Sequence, residues 1–162
     1  MTEWDIFETA HWRISHRRDA RYSGYLMVAS VAPASDLGDL NEAALAELGG
    51  VLRSTEQLLM RGYEPWKVIV YKLGFSAGFN LHFHIAPVTK RLFAQVADHP
   101  GYAAEPDGND VILFLSREYC EQALSAEERL IPSAGGGQVE GDAELMVGLD
   151  IEVQAGGQNA LL

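Results

Sequence analysis

The chain has 162 residues, 48% of them hydrophobic and 22% charged, which is ordinary for one globular domain with a sizeable core. Its net charge of −11 would repel a polyanion such as duplex DNA, so we expect no nucleic acid as a partner. No apolar run approaches the ~20 residues that span a bilayer, and the acidic N-terminus is unlike a secretory signal, so we expect no membrane association. The single cysteine, Cys120, excludes an internal disulfide and favours a reducing compartment, which predicts a cytoplasmic protein.

The first predicted elements are two strands joined by a short turn. Apolar and polar residues alternate over 12–17, which is strand periodicity, and an apolar run within 24–31 predicts the second strand. Asp19 stands in the turn, where a carboxylate commonly bonds to its own backbone. Basic residues cluster here; such a cluster is typical of a solvated strand edge, and it would also attract phosphates to a small site. They are Arg13, His16, Arg17, Arg18 and Arg21.

A long helix is predicted over about 40–61. Asp39 precedes it as a helix cap, and Glu42 three residues later completes a capping-box pattern. Two glycines, Gly49 and Gly50, weaken the middle of this helix by about 1 kcal/mol each relative to alanine, and we expect them to allow a close approach to the sheet or to a partner. The apolar stripe consists of Leu45, Leu48, Leu52 and Leu59.

Two further strands are predicted over 67–72 and 80–88, around a turn that contains Gly74, Ser76 and Gly78. Successive side chains on a strand point to opposite faces, so the apolar residues of the second strand belong to a core and the polar ones to the other face. The apolar set is Leu81, Phe83 and Ile85, and the polar set is Asn80, His82 and His84.

Two imidazoles on one strand face lie roughly 7 Å apart along the strand. Imidazole is the side chain best suited to proton transfer, nucleophilic attack or metal ligation near neutral pH. The glycines of the preceding turn allow backbone N–H groups to approach an anion closely. The stretch is therefore the candidate site.

The C-terminal part of the chain is predicted less sharply. Residues 89–98 indicate a short helix or an irregular segment, and 111–115 indicate a buried strand, although a helix is also consistent with that short apolar run. Ser116 is expected to cap a helix through about 124, and Ser125 with Glu128 forms a further capping pair. One glycine triplet and one glycine pair punctuate 134–162, so we expect a domain at 1–133 and a separate C-terminal extension containing one strand at 145–153.

Residues 80–87, Asn-Leu-His-Phe-His-Ile-Ala-Pro, resemble the motif of the histidine triad (HIT) family, His-φ-His-φ-His-φ-φ, with Asn80 in place of the first histidine. Residues 19–28 are similar to the start of a strand in a bacterial HIT subgroup, and Leu73-Gly74 fits as well. The resemblance covers roughly 10–90. It implies an α+β fold, with an antiparallel sheet of about five strands and the 40–61 helix packed on it, and it implies a homodimer.

The resemblance also implies a nucleotide as the small-molecule ligand and a reaction without cofactor or bound metal. His82 matches the nucleophile that attacks the α-phosphorus and forms a nucleotidyl-histidine, and His84 matches the histidine that holds and polarises phosphate oxygens. Asn80 would donate to the phosphate or orient the neighbouring ring, with Ser76 and Gly78 as further donors. Asp19 matches the residue that binds the ribose hydroxyls.

Two departures from the family pattern accompany these matches. Tyr25, which we count among the substrate-contacting residues, replaces the histidine of a Pro-Gly-His segment, and Val88-Thr89-Lys90 lacks the arginine that commonly follows the motif. Two other classes of function stay open. A non-catalytic nucleotide-binding module would keep the pocket without turnover, because Asn80 interrupts the triad. A metal protein would use His82 and His84 with a third ligand such as His16.

Overall fold

The computed structural model describes residues 2, 4–75 and 77–120. Ser76 therefore lies outside the described residues. So do the predicted extension at 134–162 with its strand at 145–153, and the capping pair of Ser125 and Glu128. Within the described part of the chain, no helix is both long and apolar enough to cross a membrane.

A five-stranded sheet organises the fold, in the order β1-β2-β3-β5-β4 with every neighbouring pair antiparallel. This confirms the predicted α+β architecture, including both strands around the glycine-bearing turn. The first strand was not predicted, because four residues are too few to establish a period. The strands are β1 (Asp5–Glu8), β2 (Trp12–His16), β3 (Leu26–Ser30), β4 (Lys67–Tyr71) and β5 (His82–Val88).

The long helix α1 spans Glu42–Tyr63, which confirms the prediction with a shift of two residues at each end. The predicted cap is wrong: the side chain of Asn41, not Asp39, accepts the hydrogen bond from the first turn. Asp39 instead closes a short 3-10 turn, where its carboxylate accepts from the backbone N–H of Asp36 at 3.0 Å. Glu64 caps the C-terminal end of the helix, and its φ of 44° is left-handed.

One face of the sheet packs on α1. Trp12 is completely buried there, and its indole N–H donates to the carbonyl of Ala44 at 3.0 Å, which fixes the helix to β2. A Cβ added to Gly49 or Gly50 would meet open space within the described chain. The prediction that these two glycines allow the helix to approach the sheet closely is therefore wrong. The core on this side includes Trp12, Ile14, Leu26, Val28, Val51, Leu58, Leu59, Leu81 and Ile85.

The other face of the sheet packs on two shorter helices, α2 (Lys90–Asp98) and α3 (Gly108–Tyr119). The strand predicted at 111–115 is wrong, because this run lies inside α3. Its buried residues, Val111, Phe114 and Leu115, follow helical spacing. Asp107 caps this helix by accepting from the N–H of Asn109 and Asp110. Ser116 lies within α3, so the helix predicted to begin there begins earlier.

Gly24 fixes the way the chain enters β3. Its φ is +78°, and an added Cβ would lie 2.7 Å from the ring of Tyr63 and 3.0 Å from Pro87. Only glycine satisfies both the left-handed backbone and the close contact.

Candidate active site

The two histidines of β5 lie on the face of the sheet opposite α1. Ile85 belongs to the core beneath α1, while the His84 ring contacts the rings of Tyr25 and Tyr71 on the other face. His82 begins the strand and is half-buried, whereas His84 is only 7% exposed. Their ring centroids are 5.0 Å apart. The predicted alternation along this strand is confirmed, and it places the two imidazoles side by side.

His82 is held by the backbone just before the strand. Its Nδ1 lies 2.8 Å from the carbonyl oxygen of Asn80. A carbonyl oxygen only accepts hydrogen bonds, so Nδ1 carries the proton in the neutral ring and Nε2 carries the lone pair. The ring of Phe79 meets the imidazole at 6.3 Å between centroids, in an edge arrangement. His82 therefore presents the Nε2 lone pair of its neutral ring in a fixed orientation.

Asn80 acts on the site through its backbone and anchors itself with its side chain. Its side-chain N–H donates to the carbonyl of Ser30 at the end of β3, at 3.0 Å. The following residue, Leu81, donates its N–H to the carbonyl of Ala34 and accepts from the N–H of Ser30. These bonds fix the start of β5 against β3. They also fix the carbonyl that orients His82.

A cluster of hydroxyls surrounds the inner histidine. The Tyr25 hydroxyl lies 3.1 Å from Nδ1 of His84 and also contacts the hydroxyl of Tyr71. The Tyr71 ring stacks on the imidazole with centroids 4.8 Å apart and an interplanar angle of 5°. Tyr25 has no exposed surface, so its hydroxyl is enclosed among these groups.

The electrostatic surroundings keep His84 uncharged. Its pKa is lowered from the ordinary 6.5 to about 4, chiefly by burial and also by the nearby Arg17 and His82, while Asp19 opposes this lowering. Burial likewise raises the pKa of Tyr25 and of Tyr71 above the ordinary phenol value. At neutral pH the inner part of the site therefore consists of a neutral imidazole and two protonated phenols.

Arg17 connects this cluster to the surface. Its Nη1 donates to the Tyr25 hydroxyl at 3.0 Å, and its guanidinium lies 5.0 Å from the centre of the Tyr25 ring. Its Nε and Nη2 donate to the two carboxylate oxygens of Asp19 at 2.7 and 3.2 Å. The Asp19 side chain is 59% exposed, so it stands at the rim of the cluster. The contact of Asp19 with a ribose stays a prediction.

The turn before β5 contains Gly78 and Ser76, which were predicted to donate to an anion. Gly78 is exposed with a φ of +85°, and a Cβ at this position would meet open space. In residues 77–120 no contact joins Gly78 to either histidine, and Ser76 lies outside the described residues. Their role as donors to an anion stays a prediction.

His16 is separated from the two site histidines by the sheet itself. It pairs with Leu26, which in turn pairs with Ile85, and this row of residues faces α1. His82 and His84 face the other way. Among the described residues, no group of three or more histidine, cysteine, aspartate or glutamate side chains is placed to hold a metal ion. The register thus contradicts the proposed ligand set of His82, His84 and His16.

Two residues of the site were not recognised in the sequence, Arg17 and Tyr71. Arg17 was noticed only as part of a basic cluster. Tyr71 is the last residue of β4, and it reaches His84 because these two residues are paired across the strands. Strand pairing is not visible in one sequence. A tyrosine that ends a strand next to the histidine motif was the only available signal.

No protein-family model and no curated protein matches the sequence. Solved structures do match its fold. A member of the HIT family from Bacillus subtilis superposes with a TM-score of 0.51 at 13% identity, over 77% of this chain and 92% of that one. A Hit-like protein involved in cell-cycle regulation, from Bartonella henselae, gives a TM-score of 0.50 at 14% identity, over 56% of this chain and 73% of that one. The chain therefore has a HIT-like fold, as the motif at 80–87 predicted.

Proposed function

We propose that the protein binds a nucleotide and cleaves it at the α-phosphorus through a covalent intermediate on His82. The observation that carries the proposal is the bond from Nδ1 of His82 to the Asn80 carbonyl, which leaves the Nε2 lone pair available. The HIT-like fold and the neighbouring His84 add support. With one cysteine, Cys120, buried as a free thiol, the cytoplasm is the proposed location.

The reaction has two displacement steps. In the first, Nε2 of His82 attacks the α-phosphorus, an N–P bond forms, and the leaving group departs with the electrons of its bond to phosphorus. In the second, water or another acceptor attacks the same phosphorus and the N–P bond breaks. With water as acceptor, the products are a nucleoside monophosphate and a proton that passes to solvent. Two easier steps replace one difficult displacement.

The other residues have supporting roles in this proposal. His84 donates to a phosphate oxygen and stabilises the charge that develops there. Asn80 orients His82, and Asp19 binds the ribose hydroxyls at the rim. Gly78 and Ser76 offer N–H or hydroxyl donors to the phosphate. Tyr25 is buried, so we assign it an indirect part that acts through His84.

A non-catalytic nucleotide-binding module is the second candidate, and one observation favours it. The residue in place of the first triad histidine, Asn80, uses its side-chain amide to anchor β5 to Ser30. An asparagine amide does not titrate, so Asn80 supplies no proton donor or acceptor of the kind that the first triad histidine would supply. A protein of this kind would bind the nucleotide and never acquire a nucleotidyl group.

The enzyme proposal is tested by replacing the nucleophile. We expect His82→Asn to reduce mononucleotide release by at least about 10³-fold, or roughly 4 kcal/mol of barrier, while nucleotide affinity changes little. His82→Ala should give the same loss, and His84→Gln should be milder because the attacking nitrogen remains. His99→Asn is the matched control, because His99 packs on Tyr102 at the end of α2 and lies outside the site.

The assay uses nucleoside phosphates, phosphoramidates and dinucleoside polyphosphates of adenosine and guanosine as substrates. Mass spectrometry after an acid-free quench should find one added nucleotidyl group on the wild-type peptide that contains His82. A wild-type protein that binds nucleotide, releases no mononucleotide from any substrate and never gains this mass would refute the enzyme and favour the binding module.

We also propose a homodimer. β4 lies at the edge of the sheet, and an unpaired edge with exposed apolar side chains favours contact with a second copy. Val70 on this strand is 40% exposed and the adjacent Trp66 is 64% exposed. Light scattering should give a dimer at micromolar concentration, and Val70→Lys should give a monomer, whereas the control Val31→Lys should not. A wild-type monomer at that concentration would contradict the dimer.

A further inference from the structure

The hydroxyl of Tyr25 has three polar neighbours, and its hydrogen-bonding capacity is fully used by them. Nη1 of Arg17 can only donate, so it takes one lone pair of the hydroxyl oxygen. One proton and one remaining lone pair are then left for the Tyr71 hydroxyl and Nδ1 of His84. Since burial keeps both phenols and the imidazole neutral, the proton has two possible positions.

The two arrangements have opposite effects on His84. In the first, Tyr71 donates to Tyr25 and Tyr25 donates to Nδ1, which leaves the imidazole proton on Nε2. In the second, Nδ1–H donates to Tyr25 and Tyr25 donates to Tyr71, which leaves Nε2 with a lone pair. Within residues 2, 4–75 and 77–120, Nε2 of His84 makes no hydrogen bond, so this atom is the one available to a ligand.

Elementary chemistry favours the first arrangement. A phenol O–H is a stronger donor than a neutral imidazole N–H, and an imidazole nitrogen is a stronger acceptor than a phenol oxygen. Arg17 increases the difference, because a cation that donates to the Tyr25 oxygen makes its O–H more acidic and a better donor. The bond from Tyr25 to Nδ1 is therefore the stronger of the two possibilities.

We propose that Tyr25, oriented by Arg17 and Tyr71, fixes His84 as its Nε2–H tautomer and so makes it a neutral hydrogen-bond donor to a phosphoryl oxygen. The neighbouring His82 has the opposite tautomer, with Nδ1–H on the Asn80 carbonyl and a lone pair on Nε2. One imidazole attacks phosphorus and the other donates to its oxygen. The part of this assignment that concerns phosphate rests on the proposed function, whereas the tautomer itself does not.

The test is ¹⁵N NMR of histidine-labelled full-length protein without ligand, at pH 7, where the two ring nitrogens report the tautomer directly. His84→Gln assigns the signals. Wild-type His84 should show Nε2–H and a hydrogen-bonded Nδ1, and Tyr25→Phe should shift the Nδ1 signal towards that of an unbonded nitrogen. The matched control is Tyr22→Phe, because the Tyr22 hydroxyl donates to the carbonyl of Pro87 and not to His84. It should leave the signals unchanged.

Tyr71→Phe adds a second variant in case Tyr25→Phe fails to fold. In the proposed arrangement Tyr71 only donates, so its loss should leave His84 as Nε2–H. An Nδ1–H tautomer in the wild type would overturn the assignment. So would an Nδ1 signal that does not respond to Tyr25→Phe.

The affinity for AMP connects the tautomer to the site. We expect Tyr25→Phe to weaken AMP binding about threefold to tenfold, because the donor to the phosphate is no longer held in place, and Tyr22→Phe to leave it unchanged. Equal AMP affinity in wild type and Tyr25→Phe would overturn the role of Tyr25. If the wild type has the Nε2–H tautomer and binds no nucleotide at all, the proposed function fails and the tautomer assignment stands.

Discussion

The neutral state of His84 makes a quantitative prediction about stability and pH. Burial lowers the pKa of His84 from the ordinary 6.5 to about 4 in the folded chain. Arg17 and His82 contribute to this lowering, and Asp19 opposes it. In the unfolded chain the imidazole takes up its proton at the ordinary pKa. Between these two values the unfolded state binds more protons than the folded state, so the free energy of unfolding falls as the pH falls.

The size of this effect follows from the two pKa values. One pKa unit corresponds to about 1.4 kcal/mol, so the fall from 6.5 to about 4 amounts to roughly 3 kcal/mol of stability. This contribution is fully present above pH 6.5 and is lost by about pH 4. Because a domain of this size is stabilised by only ~5–15 kcal/mol, the loss should be readily measured.

Urea unfolding followed by tryptophan fluorescence at several pH values from 7 to 4 gives the measurement. His84→Gln removes the titration, so the wild type should lose roughly 3 kcal/mol more than this variant over the same range. Val96→Ala is the control, since it opens a cavity at a fully buried position of α2 and should lower stability by a similar amount at every pH. If wild type and His84→Gln lose stability in parallel, His84 is not held neutral by its surroundings.

Three glycine substitutions test the packing of the fold. Gly24→Ala should destabilise the protein by about 2–4 kcal/mol, because the left-handed backbone and the contact with Tyr63 both oppose a Cβ. Gly78→Ala is the control, since Gly78 has a left-handed φ but faces open space, and it should cost only about 1 kcal/mol. Equal losses of stability in the two variants would refute the contact with Tyr63. Gly49→Ala on the exposed side of α1 should stabilise by about 1 kcal/mol in urea unfolding, and a loss of stability would mean that another chain packs closely on this glycine.

Local periodicity made much of the fold predictable. The alternation through β5 is sufficient to place His82 and His84 on one face, because side chains on a strand alternate strictly. The stripe of leucines indicated a helix, and the predicted bounds of about 40–61 lie within two residues of those of α1. The run at 111–115 was misassigned, because five consecutive apolar residues have no period of their own. The capping pair of Asp107 and Asp110 would have indicated the helix.

The inner half of the site depends on contacts that no local pattern contains. Arg17, Tyr25, Tyr71 and His84 come from four separate segments and meet only because β3, β4 and β5 pair in one register. A shift of one residue in the pairing of β4 would turn Tyr71 to the other face of the sheet. Sequence reasoning identified Tyr25 as a replacement for a histidine. Its burial, and its action on His84, required the tertiary structure.

The arrangement of protons in the site has a consequence for the choice of substrate. Asn80 has no titratable group, Tyr25 directs its proton to His84, and neutral imidazole N–H is a very weak acid. The described site therefore offers no strong acid at pH 7, so a leaving group must depart as a stable anion. We expect dinucleoside polyphosphates, whose leaving group is a phosphate, to be cleaved faster than phosphoramidates, whose amine must first be protonated.

The pH dependence separates these two substrate classes further. The protonated fraction of His84 grows as the pH falls towards its pKa of about 4, and the charged ring would supply the missing acid. The rate with a phosphoramidate relative to a polyphosphate should therefore rise as the pH falls from 7 towards 5. The comparison is made at saturating substrate on protein that remains folded by fluorescence. Phosphoramidate cleavage that matches polyphosphate cleavage at pH 7 would show that another group provides the proton, and His84 would then not be the residue that limits the choice of leaving group.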